Sequence, residues 1–89
     1  MPIVVVPTAY RGPTRGEAEI TVEGASVLDC LKAVEVVYEG FLGQVLDDAG
    51  AVHRFVKLFV NEQQIDSKEL DRPLQEVDRL EILAAIAGG

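Results

Sequence analysis

The chain is poor in the residues that most chemistry requires. It has one cysteine, Cys30, and one histidine, His53. A single cysteine excludes an internal disulfide and suits a reducing compartment, so a cytoplasmic location is expected. One histidine and one distant cysteine make neither a zinc site nor a nucleophile–base pair. Cations are also scarce, with eight Lys and Arg against fifteen Asp and Glu, for a net charge of −7. An acidic surface of this kind opposes nucleic acid and anionic membrane and favours a partner with a basic docking face. Arg11, Arg15 and Arg54 are the only cations placed to gather, and no aromatic stacking platform accompanies them. The apolar stretch PIVVV near the N-terminus is too short to span a bilayer. No basic run precedes it, so neither a transmembrane helix nor a secretory signal is expected. Asp47 and Asp48 are adjacent and lack further oxygen ligands at EF-hand spacing, which reads as a solvated turn. Gly12 and Gly16 bracket a hairpin turn rather than a phosphate loop. There is no repeat, linker or low-complexity tract.

What is present fits one globular domain. The 89 residues are 48% hydrophobic and 26% charged, unlike a disordered chain. PIVVVPTAY, rich in β-branched residues, predicts a strand over Ile3 to Tyr10, with Pro7 marking an edge or a bulge. RGPTRG is turn chemistry, and EAEITV alternates as a return strand, Glu17 to Val22, making a hairpin. Ser26 is a helix N-cap with Asp29 three residues on. Val27, Leu31, Val34 and Tyr38 follow at helical spacing, Leu28 and Val37 widen the stripe, and Gly40 is the natural C′ residue. Cys30, close to that stripe, reads as a small buried hydrophobe. Phe41 to Val52 is a connector with a short helical turn around Gln44 to Asp48. RFVKLFV predicts a strand over Arg54 to Val60, Asn61 and Glu62 turn the chain, and QQI pairs briefly. SKELDRPLQEVD is irregular, with room for one helical turn, and RLEIL, Arg79 to Leu83, is the last strand.

This order, a hairpin, a helix and further strands, predicts an α+β fold of β-grasp type, in which one main helix packs on a mixed sheet. Alternation puts Val56, Leu58 and Val60 on one face of their strand and Phe55, Lys57 and Phe59 on the other. The lysine marks the second face as the outer one. On the last strand Leu80 and Ile82 point inward, and Arg79, Glu81 and Leu83 outward. Phe55, Phe59 and Leu83, with Lys57 among them, would then form an exposed apolar patch fit for a partner, unless the connector folds over it.

The sequence closes in AAIAGG, Ala84 to Gly89. Such an end is either an idle frayed tail or a working group. VPTAYR (Val6 to Arg11), HRFVKLFVN (His53 to Asn61) and LEILAAIAGG (Leu80 to Gly89) resemble the ubiquitin-like sulfur carriers. That family includes the molybdopterin synthase small subunit and the thiamine-pathway and cysteine-pathway carriers, and the cysteine and molybdopterin members look most similar. The resemblance implies a non-enzymatic carrier with no bound cofactor. An ATP-dependent activating enzyme adenylates the carboxylate of Gly89, next to Gly88, and a sulfur donor converts it to a thiocarboxylate that a downstream biosynthetic enzyme consumes. Residues 1–83 would be the β-grasp domain and residues 84–89 a flexible tail, in which Ala84, Ala85, Ile86 and Ala87 lead a slim thread into the partner. Two alternatives use the same features: a ubiquitin-like modifier joined to target lysines through Gly89, and a plain β-grasp binding module.

Overall fold

The structure is a computed structural model and describes residues 1–84. Five strands, β1 (Ile3–Val5), β2 (Glu19–Thr21), β3 (Val56–Val60), β4 (Gln63–Ile65) and β5 (Arg79–Ala84), form one sheet in the order β2-β1-β5-β3-β4. β1 and β5 are parallel and the other pairs antiparallel. One main helix, α1 (Val27–Val37), and a four-residue helix, α2 (Leu42–Val45), complete the fold. This is the β-grasp arrangement expected from the sequence, with a mixed sheet.

The core forms where the helix stripe meets the inward sheet residues. Val27, Cys30, Leu31 and Val34 of α1 are buried with Val4, Ile20, Val56, Leu58, Val60, Leu80 and Ile82 of the strands. Burial pushes the Cys30 thiol above its ordinary range, with the charge of Asp29 adding to the effect. Val37 departs from the expected stripe and is 64% exposed. At 100° per residue it lies roughly 80° from the stripe axis and in the last turn, so it clears the sheet. Leu28, on the other margin, packs against the core.

The ends of α1 explain two segments that periodicity reads poorly. The Ser26 hydroxyl accepts the Asp29 N–H at 3.1 Å, as the sequence predicts. The Val27 and Leu28 N–H groups are satisfied by the carbonyls of Arg72 and Leu70. The irregular segment after β4 is thus a backbone cap for the helix. It holds turns rather than the helical turn the sequence allows, and it anchors through Leu74, which is buried. At the other end Gly40 is left-handed (φ +99°), two residues past the C-cap Tyr38 rather than one. The Glu35 carboxylate accepts from Gly40 and Leu42 N–H, the latter at 2.7 Å. That bond starts α2 at Leu42, ahead of the expected Gln44 to Asp48, and Phe41 is driven fully into the core. Asp47 then accepts from the N–H groups of Ala49 and Ala51, making the tight solvated loop its sequence suggests.

Three strands are shorter than expected. β1 ends at Val5 because Arg11 Nε takes the Val6 carbonyl at 3.1 Å and Pro7 has no N–H. Thr8–Tyr10 is a 3-10 turn instead. Since β1 lies between β2 and β5, Pro7 marks the strand's end rather than a sheet edge or a bulge. β2 spans Glu19–Thr21 within the predicted Glu17 to Val22, and the turn before it buries Thr14, whose hydroxyl donates to the Glu17 carbonyl at 3.0 Å. β3 starts at Val56, because Arg54 and Phe55 sit in a turn closed from Val56 N–H to the His53 carbonyl. β5 runs one residue longer than Arg79 to Leu83: Ala84, which the sequence assigns to the tail, pairs with Val56.

Gly24 sits where no side chain fits. A Cβ there would lie 2.7 Å from Cys30 Sγ and 2.8 Å from the Cys30 backbone nitrogen, inside the first turn of α1. Gly24→Ala must therefore push that turn off its seat, and we expect a loss of about 1–3 kcal/mol, as for overpacking. Urea unfolding measures it; a loss below about 0.5 kcal/mol would show that the turn yields freely.

Candidate functional site

The last strand positions the site. β5 is bonded to β1 over Arg79 to Glu81 and to β3 over Leu80 to Ala84, so its last residues, Ile82 to Ala84, pair with β3 alone. Its inward residues Leu80 and Ile82 are buried, and its outward residues are exposed. Facing solvent on the same side, β3 contributes Lys57 opposite Leu83 and Phe59 opposite Glu81. Leu83 is 48% and Phe55 42% exposed, so the connector does not close over them. The connector instead packs inward through Phe41, Val45 and Leu46. Phe59 is more covered than a fully outward residue, because it stands between Glu81 and Gln64 on the two neighbouring strands, while Phe55 precedes the strand. The structure thus brings Lys57, Phe59 and Leu83 to one outer face, while Phe55 is exposed in the turn that leads into β3 rather than in the strand the sequence predicts. Ala84 ends β5, half-buried; Ala85, Ile86, Ala87, Gly88 and Gly89 lie outside the described residues.

Three further residues belong to this surface. The Arg54 guanidinium lies 5.0 Å from the centre of the Phe55 ring, a cation–π contact beside the Ala84 end of β5. At the other end, Glu62 and Glu81 join Phe59 and Leu83 around a shallow hollow of about 260 Å³. Outward alternation already exposes Glu81 in the sequence; Glu62 needs the hairpin pairing, which short apolar runs define poorly. The remaining chemistry is sparse. His53, just past the connector, places its Nε2 3.1 Å from the Gly43 carbonyl within it. Among the described residues no three of His, Cys, Asp and Glu gather as a metal site, and no helix is long and apolar enough to cross a membrane.

The hairpin turn that carries Glu62 is pinned to the start of β5. Asn61 donates its side-chain amide to Asp78 at 2.9 Å and accepts the Arg79 N–H at 3.0 Å. Asp78 also accepts the Gln75 N–H at 2.8 Å.

With this geometry in view, comparison with known proteins is direct. The profile of the ThiS family matches residues 4–89. The chain belongs to the ThiS family. It is a ubiquitin-like sulfur carrier by family, and such small carriers are in general not catalysts themselves. A chain in the crystal structure of the Amycolatopsis orientalis BexX/CysO complex is 31% identical, with TM-score 0.91 and full coverage of both chains. Mycobacterium tuberculosis CysO is 27% identical over 97% of this chain and 100% of its own, with TM-score 0.88. The small archaeal modifier protein 1 of Methanosarcina acetivorans shares the fold at 19% identity and TM-score 0.83, over 99% of this chain and 95% of its own. No curated protein sequence gives a significant match.

The Asp78 clasp yields a pH test. The Gln75 N–H, then the Asn61 amide, hold the Asp78 carboxyl below the usual carboxylate range. A folded value below the unfolded one, about 3.9, adds stability at pH above that value and loses it as pH falls through the folded value. Asp78→Ala should therefore melt below the wild type at pH 7, and the gap should shrink as the pH drops below about 4. Thermal melts across that range decide it; a gap independent of pH would show that the charge of Asp78 adds nothing.

Proposed function

We propose that the chain carries sulfur as a thiocarboxylate on Gly89. The observation behind this reading is that the ThiS-family match runs through Gly88 and Gly89, beyond a β5 whose end lies beside an open apolar patch. A free carboxylate is a poor electrophile, since its charge is delocalised and oxide is a bad leaving group. In the proposed sequence a carboxylate oxygen of Gly89 attacks the α-phosphorus of ATP within an activating enzyme, and pyrophosphate leaves. A sulfide-level donor then attacks the acyl carbon and expels AMP, leaving carbon bonded to sulfur. The thiocarboxylate passes that sulfur to a biosynthetic enzyme. The chain supplies no acid, base or metal to these steps; it is the co-substrate.

Its own residues supply access and recognition. Glycine has no Cβ, so the last two residues fit the narrowest channel. Ala85 and Ala87 keep the approach slim, and Ile86 is large enough to set register in an apolar pocket. The patch of Phe55, Lys57, Phe59 and Leu83 meets the enzymes. The relative named in the BexX/CysO complex was crystallised with a partner, and we read this chain as docking to enzymes in the same general way.

Incubation with the activating enzyme of its pathway, ATP and sulfide should raise the intact mass by the difference between sulfur and oxygen. An unchanged mass sinks the reading. Gly88→Val and Gly89→Val should fold normally, within about 0.5 kcal/mol of wild type, and block the mass gain. Phe55→Ala should be similarly neutral for stability and weaken binding to the activating enzyme severalfold or more, whereas Phe59→Ala, partly covered, should also lower the melting temperature. Wild-type affinity in both variants would move the docking surface elsewhere.

A further inference from the structure

The outer face is divided by charge. At the end where β5 stops stand Arg54 and Lys57; three residues back along the strand stand Glu62 and Glu81. These two carboxylates line the hollow whose other walls are the Phe59 ring and Leu83. They also line a second hollow, with Asn61 and Arg79. Among the described residues neither carboxylate has an ion-pair or hydrogen-bond partner. The nearby cations do not pair with them: Arg79 is engaged with Glu19 at 3.0 Å, and Lys57, diagonal to Glu81 across the β3–β5 ladder, makes no ion pair among the described residues. The hollow therefore combines an aromatic and an aliphatic wall with two carboxylates that make no ion pair among the described residues.

We propose that this hollow receives an arginine side chain of the activating enzyme, its stem against Phe59 and Leu83 and its guanidinium between Glu62 and Glu81. The proposal rests on the sulfur-carrier reading for the identity of the partner, and on this surface alone for the chemistry of the occupant. Arginine fits better than lysine. Its planar, weakly hydrated guanidinium stacks on an aromatic ring and reaches two carboxylates at once, where a compact ammonium stays hydrated. The position is also functional in length. Glu81 lies three residues before Ala84, so an arginine seated there grips the strand about 10 Å from Ala84. It would fix where the activating site begins relative to the docked domain.

The hairpin turn supplies a test with opposed signs. Asn61 and Glu62 both have positive φ, +50° and +72°. A two-residue turn of this hand favours Asn-Gly, and a glutamate in its second place is strained. Glu62→Gly should therefore raise the melting temperature while weakening the enzyme complex. Glu62→Gln and Glu81→Gln should each weaken it about tenfold and flatten its salt dependence. At saturating carrier the rate of the sulfur-for-oxygen mass gain should stay at the wild-type level, so the loss falls on KM rather than kcat. Equal affinity in the three variants overturns the proposal, as does a Glu62→Gly variant that gains stability and keeps its affinity. A second arm needs no enzyme. N-acetylarginine amide titrated into the ¹⁵N-labelled full chain should shift the amides of Phe59, Asn61, Glu62, Glu81 and Leu83, with millimolar affinity, and N-acetylglutamine amide should not. Shifts spread over the whole acidic surface, or persisting in Glu81→Gln, overturn the proposal whether or not Gly89 is found to carry sulfur. A wild-type chain that never gains mass, with the arginine shifts intact, would instead fault the carrier reading alone.

Discussion

The structure depends on β5 being an interior strand. Its backbone is paired on one side with β1 and on the other with β3, while Leu80 and Ile82 are fully or almost fully buried beneath α1. Few residues in so small a domain can satisfy both neighbours and a helix. Because the strand cannot slide without moving its apolar residues to the wrong face, its register is fixed. The position of Ala84 opposite Val56 is then fixed as well, and so is the outward set Glu81 and Leu83 against Lys57 and Phe59. The two ladders overlap at Leu80 and Glu81 and set that register, and β3 alone carries it on to Ala84.

The long segment between β4 and β5 serves the same end. It has no regular structure to offer, but its carbonyls at Leu70 and Arg72 take the first free N–H groups of α1, and Leu74 returns its own N–H to Ala25. Helix and final strand are thus tied by backbone bonds at one end of the domain, away from the end where β5 stops. Asn61, Asp78 and Arg79 add a second tie between the β3–β4 turn and the start of β5. Stiffness accumulates at the start of the strand, and its finish is left beside open surface.

Much of this was legible in the sequence, and the exceptions share a cause. Alternation in RFVKLFV and RLEIL gave the two faces correctly, and Ser26 with Asp29 marked the helix start, because each signal is local. The β-grasp wiring came from element order, and the ThiS relationship from segments that carry it residue by residue. The errors came from bonds between distant or unlike groups. Arg11 reaching the Val6 carbonyl shortens β1, Glu35 reaching Leu42 moves α2, and the Arg72 carbonyl caps a helix forty-five residues earlier. No period or propensity encodes such contacts. Phe41 illustrates the point: it looks like a loop residue, yet is among the largest fully buried side chains. The outer patch was visible as a list of residues, but its division into a cationic and an anionic end needed the hairpin register.

That division bears on how a slim tail can be used at all. Five residues follow Ala84 in the sequence, and fully extended they reach at most about 17 Å. A partner that holds the outer face therefore holds Gly89 within a sphere of that radius about a fixed origin. The residues after Ala84 are Ala, Ile and Gly and offer little area for binding, so on the proposed reading affinity would come from the folded face and the tail would need only to fit. On the proposed reading, docking would turn capture of the carboxylate into an intramolecular step at high effective concentration. Separating recognition from reaction has a further consequence. On the proposed sulfur-carrier reading, one face would serve successive partners, the enzyme that loads sulfur and the one that removes it, because each would grip the same surface and accept the same narrow thread. What then distinguishes the partners is the charge they present to the two ends of that surface, a contribution that acts mainly on encounter and selectivity and only modestly on total affinity.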